Sequence, residues 1–445
     1  MFKSVLDILD VFVQPNAEAL GIPYDQIKCV IALIVTILFS IMLRLTKTSP
    51  GKRSDSLIQD IKQNKLVYFK HFLSIFIGVE VLLFMYHDQI IHSFVSSLIV
   101  YLIITFFPEN VSYKLAIMFS MLYMLCSHIY IMITAYMSWA PDFTSPQMML
   151  TIKMTAFAFA YHDGVIMTSA KKKKEGEEVE VVEKFTPRMK EYAIQKRPNI
   201  IEFFGWTYFA PGLLAGPAVE YMDYSNYIDG SMFEKAPGKR IPFSFVEVLK
   251  RIVYTVVFMV ATVVLPDYGY SWVSKVMLED KVKENGGFVY LSLRLILAGP
   301  IHRSKYYVAW MMGEIALLTA GISFSGMVPS KSDPEKLVPA WDKCVAVKPL
   351  KVEFGSSCKV IVDNWNIGTE KWLRYYINDR LIGTRFEKDK RILTYMVSAF
   401  WHGLYPGYYF FFVVAGVFAN IAHCKYYFII ILYILKGYYY YFIYY

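Results

Sequence analysis

In the run "SAFWHGLYPGYYFFF" (residues 398–412), His402 sits in the middle of an apolar, aromatic stretch. An imidazole in such surroundings costs free energy unless a partner or a function holds it there. Upstream, "DNWNIGTEKWLRYY" (363–376) carries Asn366, preceded by Trp365 and followed by Lys371 and Arg374. Neutral imidazole titrates near physiological pH, so it can take a proton from an alcohol and return it. An amide N–H can stabilise the negative charge that develops on a carbonyl oxygen. His402 with Asn366 therefore suits transfer of an acyl group to a hydroxyl. The plainer alternative is a core histidine bonded to a neighbour. Asn364, two places earlier in the motif, competes for the asparagine role.

Three further polar clusters stand in apolar surroundings, where such groups are functional candidates. One is Lys153 with His162 and Asp163 in "TIKMTAFAFAYHDG". The next is Glu220 and Asp223 in "GPAVEYMDY", either substrate contacts or structural partners of a Lys or Arg. The third comprises Arg294, His302, Arg303, Lys305 and Glu314. Other catalytic signatures are missing: no histidine begins an H-x₄-D box, and there is no G-x-S-x-G elbow, H-E-x-x-H, phosphate loop or dinucleotide fingerprint. The histidines and carboxylates lack metal-ligand spacing, so no metal is expected. The five cysteines are scattered without a C-x-x-C pair, which argues against a disulfide or zinc framework.

The elements that must position these residues are membrane helices. The chain has 445 residues, of which 56% are hydrophobic and only 19% charged, whereas a soluble domain is about a quarter charged. The net charge of +9 is expected in loops that face anionic lipid, not in a nucleic-acid interface. Apolar stretches recur at 29–43, 67–86, 89–108, 115–141, 149–167, 203–219, 252–266, 287–300, 306–324, 392–401 and 404–424. They predict an all-α, polytopic membrane protein with about ten to eleven transmembrane or re-entrant helices. Segments broken by Pro and Gly, such as "YFAPGLLAGP" (208–217), are expected to re-enter or to line a cavity. The start, "MFKSVLDILDVF", lacks the pattern of a cleaved signal peptide.

Residues 44–66 hold Arg44, Lys47, Lys52, Arg53, Lys62 and Lys65, and a charged loop at 171–200 begins "KKKKEGEEVEVVEK". The positive-inside rule places both in the cytosol. The four expected spans between them agree with that, and they put the N-terminus in the lumen. A long connection, 327–371, leads into the Asn366 motif. The whole of 1–445 reads as one membrane-embedded domain, with an atypical Tyr-rich tail at 425–445.

"WNIGTEKWLRYY" followed by "MVSAFWHGLYPGYYFFF" resembles the membrane-bound O-acyltransferase family, specifically its lysophospholipid acyltransferase branch. "LLAGPAVEYMDY", "KYYVAWMMGEIALLTAGISFSG" and "LTIKMTAFAFAYHDG" are similar to that branch too, and the likeness runs from about residue 20 to 423. The resemblance implies a helical fold around a through-membrane chamber, entered by acyl-coenzyme A from the cytosol and by a lysophospholipid laterally or from the lumen. It maps the family's histidine onto His402 and, through the order Trp-Asn-Ile, its asparagine onto Asn366. The tail departs from the family pattern.

The expected protein is a multi-pass enzyme of the endoplasmic reticulum membrane. It would re-acylate lysophospholipids from acyl-coenzyme A as co-substrate, without a cofactor. Trp365 and Trp401, beside the two polar residues, together with Glu220 and Asp223, are candidate substrate contacts. Lys371 and Arg374 are candidates for the coenzyme A phosphates. The alternatives are the same fold with a sterol, diacylglycerol or protein acceptor, or a polytopic transporter with a proton relay.

Overall fold

The structure, a computed structural model, describes residues 3–20, 23–51, 54, 56–136, 138, 141–172, 185–234, 236–242, 244–265 and 287–421. The tail at 425–445 and residues 173–184 of the charged loop lie outside the described residues. Among those described, the regular structure is helical apart from one antiparallel hairpin, Gly326–Pro329 with Leu337–Ala340, in the register Gly326 opposite Ala340.

Among the described residues, three stretches are long and apolar enough to cross a membrane: Tyr24–Leu45, Lys65–Phe106 and Glu109–Thr134. The second is two helices, Lys65–Tyr86 and Ile90–Phe106, separated at His87, whose φ of 49° no helix interior accepts. Hydroxyls inside these helices bond to their own backbone. Ser40 donates to the Thr36 carbonyl, Ser74 to that of Lys70 and Ser120 to that of Ala116, each at 2.8 Å. These buried hydroxyls are thus satisfied within their own helices. Phe69, Phe72 and Phe76 are exposed at helical spacing on one face, and Val253, Val256, Val257 and Val260 do the same on the Phe245–Val264 helix. Apolar stripes of this kind are the surface that acyl chains cover.

Two expectations change. The apolar stretches 287–300 and 306–324 are not separate elements but parts of one helix, Gly287–Ala320, with Pro300 inside it. Proline removes a single backbone donor, and Ser304 bonds back to the Pro300 carbonyl at 2.9 Å. The connection 327–371 is not bare loop either. It contains most of the hairpin and the short helices Pro349–Glu353, Cys358–Val362 and Ile367–Leu373.

The chain forms two compact units. The first comprises Met1–Met124, Ala140–Val248 and Gly313–Cys344, and the second Leu125–Trp139, Leu249–Met312 and Val345–Tyr445. The core of the first is aromatic: Phe157 lies 5.3 Å from Phe203 and 5.5 Å from Trp206, ring centre to ring centre. The Trp206 indole donates to the Val219 carbonyl at 2.8 Å. The Lys65–Tyr86 helix approaches the backbone of Tyr208 so closely that a Cβ on Gly78 would lie 1.9 Å from its carbonyl oxygen. In the second unit, Tyr307, Met311, Val347 and Val352 are buried, with Phe258, Trp310 and Trp365 packed against them. There Lys390–His402 and Pro406–Ile421 form a helical hairpin in which Gly416 leaves room for the Tyr395 ring.

Candidate active site

His402 is the last residue of the Lys390–His402 helix. Gly403 ends it with φ 127°, a conformation that a side chain would strain, and donates to the Ala399 and Phe400 carbonyls. The imidazole is held between rings. Tyr408 stacks on it at 5.4 Å and Phe412 at 5.2 Å, while Trp401 meets it at 4.8 Å, near-perpendicular. Tyr408 and Phe412 are one helical turn apart, so both face the hairpin partner. His402 is half-buried, and neither ring nitrogen forms a hydrogen bond among the described residues.

Asn366 begins the Ile367–Leu373 helix in a left-handed conformation, φ 43° and ψ 55°. Asparagine tolerates that region better than most residues. Its backbone carbonyl accepts from Glu370 N–H at 3.0 Å, but its side chain does not cap the helix and has no hydrogen bond among the described residues. Asn364 is engaged: it is buried, its side-chain amide donates to the Val360 carbonyl at 2.7 Å, and its backbone carbonyl accepts from the Lys348 backbone N–H at 3.0 Å. The geometry thus leaves the amide of Asn366, not that of Asn364, for a ligand.

Both neighbours of Asn366 are pinned. Trp365 meets Trp310 at 4.8 Å and 79°, with Tyr306 at 5.9 Å and Tyr307 at 5.8 Å. Ile367 N–H donates to the Ala346 carbonyl at 2.7 Å. Trp372, on the same short helix, packs 6.2 Å from Trp401, which joins the asparagine helix to the histidine helix. Below them Arg303 pairs with Glu353, its Nε at 2.8 Å, and the Tyr307 hydroxyl donates to the same carboxylate. Lys371 is half-buried, whereas Arg374 is exposed and paired with Glu370 and, at 3.6 Å, with Asp363.

Glu220 and Asp223 belong to the first unit, in ion pairs. Glu220 accepts from Arg188 at 2.9 Å. Asp223 accepts from Lys343 at 2.6 Å and from the Tyr192 hydroxyl at 3.2 Å. Burial works against the charge of Lys343, but Asp223 and then Glu191 outweigh it and hold the ammonium above its ordinary value. Lys153, of the same unit, donates to the Trp206 and Thr207 carbonyls at 2.6 and 2.9 Å, where the Ile200–Thr207 helix ends. Among the described residues no three His, Cys, Asp or Glu side chains gather as metal ligands.

Sequence reasoning missed Tyr408, Phe412, Glu353 and His128 in the second unit. The first two carry a signal, aromatic residues four apart after the histidine helix. His128 and Glu353 carry none, because their partners lie on distant stretches of chain. His128 Nε2 is 3.2 Å from the carbonyl oxygen of Trp401. Taken together, His402 and Asn366 present an imidazole and an amide with no hydrogen-bond partner among the described residues, beside tryptophans on packed helices.

The sequence model of the membrane-bound O-acyltransferase family matches residues 128–427. Similar proteins include lysophospholipid acyltransferase 6 of Drosophila melanogaster, 28% identical over 91% of this chain and 52% of that protein. A lysophospholipid acyltransferase of Schizosaccharomyces pombe is 27% identical over 93% of this chain and 75% of its own length. The membrane-bound glycerophospholipid O-acyltransferase 2 of Gallus gallus is 27% identical over 92% and 73%. The chain thus spans about half the length of the fly relative and about three-quarters of the other two.

Proposed function

Since the chain belongs to the membrane-bound O-acyltransferase family, we propose that it transfers a fatty acyl group from acyl-coenzyme A to the free glycerol hydroxyl of a lysophospholipid. His402 takes the hydroxyl proton as the oxygen attacks the thioester carbonyl. Asn366 holds the hydroxyl or donates to the oxygen on which charge develops. The tetrahedral intermediate collapses, the carbon–sulfur bond breaks, and the coenzyme A thiolate recovers the proton from His402. Base and donor need no metal or further cofactor, and both substrates carry apolar chains that a site within the membrane accommodates.

The observation that carries this reading is the pair His402 and Asn366, half-buried on packed helices with their polar side-chain atoms unengaged among the described residues. The names of the relatives support the substrate class. The enzyme is read as a multi-pass protein of the endoplasmic reticulum membrane, with about ten to eleven transmembrane or re-entrant helices around a chamber open to the cytosol, where Lys371 and Arg374 would meet the coenzyme A phosphates.

The test is acyl transfer by the purified protein in lipid, crossing lysophospholipid headgroups with acyl-coenzyme A chain lengths and including sterol, diacylglycerol and peptide acceptors. Phospholipid and free thiol should appear in equal amounts with at least one lysophospholipid. Transfer only to another acceptor class would move the protein elsewhere in the family. Absence of thiol release with every acceptor would refute the acyltransferase reading.

A further inference from the structure

The last turn of a helix leaves carbonyls without an intrahelical donor, and the histidine helix is no exception. Gly403 N–H answers the Ala399 and Phe400 carbonyls. The next carbonyl, that of Trp401, is met from the Glu109–Thr134 helix by His128 Nε2 at 3.2 Å. A carbonyl oxygen only accepts, so His128 must carry its proton on Nε2 to make this bond. His128 also lies against the turn that follows: a Cβ on Gly403 would be 3.6 Å from its Nδ1 and equally far from the Tyr408 ring. Trp401 and Gly403 flank His402 on both sides, and His128 reaches both.

From this we infer that His128 is a positioning residue for His402. Its N–H fixes the Trp401 carbonyl and with it the end of the helix, and so sets where the His402 ring stands between Tyr408 and Phe412. It acts through the Trp401 backbone and not as the proton acceptor. The role rests on the proposed function of His402, and it concerns orientation rather than proton transfer. Stacking restrains the tilt of the imidazole but leaves the ring free to shift with the end of its helix. The bond from a second helix removes that freedom. Misplacing a catalytic group by about 1 Å can lower turnover about 10²-fold, so one hydrogen bond at this place has leverage out of proportion to its strength.

The experiment compares His128→Leu, His128→Gln and His128→Asn with His402→Ala as the reference. Turnover and KM for both substrates are measured per folded molecule in detergent or lipid. A glutamine amide reaches as far as Nε2, and an asparagine amide only as far as Nδ1. The Leu and Asn variants should lose kcat by about 10²-fold with both KM values nearly unchanged, and the Gln variant should recover most of that loss. Wild-type kcat in folded His128→Leu, or equal losses in the Gln and Asn variants, would overturn the positioning role. If His128→Leu does not fold, the Gln and Asn pair still decides. Full turnover in His402→Ala would instead refute the proposed function beneath it, an outcome distinct from a failure of His128 alone.

Discussion

Asp223 and His402 are both polar side chains set among apolar neighbours, and the protein treats them in opposite ways. In the first unit Asp223 is enclosed by Lys343 and Tyr192, Glu220 by Arg188, and Lys153 by two backbone carbonyls. In the second unit His402 lies between aromatic rings that offer stacking to its faces, and Asn366 has pinned neighbours around an amide that bonds to nothing among the described residues. Burying a polar group is costly unless it is bonded. The first arrangement meets that cost inside the protein, as structure. The second leaves it unmet among the described residues, as the proposed substrate site requires. Polarity in an apolar segment therefore does not by itself mark a catalytic residue. What distinguishes the two regions is whether the chain supplies the partner.

The contrast predicts separable defects. The largest belongs to His402. In His402→Ala, acyl-transfer turnover should fall by about 10²–10⁴-fold, the usual loss with a general base, while the protein folds normally by detergent size-exclusion. Asn366→Ala should lower turnover by about 10²-fold or more if the amide stabilises an oxyanion. In the proposed mechanism both groups act on one transition state, so the double variant should be far less impaired than the product of the single effects, as initial rates of the four enzymes would reveal. Multiplicative losses would mean that the two residues act independently.

Asp223→Ala should do the reverse. Removing one partner of a buried pair costs ~3–5 kcal/mol, so its thermal midpoint and folded yield should drop while turnover per folded molecule stays near wild type. A selective loss of turnover would return Asp223 to the substrate site. The smallest effect is expected at Glu220. Its pair with Arg188 is partly open to solvent, 25% exposed on the Arg188 side chain, and Glu220→Gln should cost about 1 kcal/mol or less. A thermal-shift measurement on purified protein is sufficient to rank it against Asp223.

The sequence makes His402 visible because it interrupts an aromatic, apolar run, and Asn366 visible because a polar motif carries it in the order Trp-Asn-Ile that resembles the family's. It also makes helices visible where apolar residues continue unbroken, as in Tyr24–Leu45. Pro300 and the basic residues after it look like a boundary between spans, yet the helix continues through them. Arg303 is buried there because Glu353, whose carboxylate also accepts from the Tyr307 hydroxyl, neutralises it, and Glu353 lies 50 residues further along the chain. The partner of Asp223 is 120 residues away. Whether a polar group is satisfied depends on such tertiary pairings, which local composition does not encode. The choice between Asn366 and Asn364 is of the same kind: the motif contains both, and only the bond from Asn364 to the Val360 carbonyl separates them.

The most direct test places the two regions side by side: turnover per folded molecule for His402→Ala and Asp223→Ala, with acyl transfer and detergent size-exclusion run on the same samples. The account predicts a folded, nearly inactive His402→Ala and a poorly folded Asp223→Ala whose surviving molecules turn over normally. Normal turnover per folded molecule in His402→Ala would contradict it.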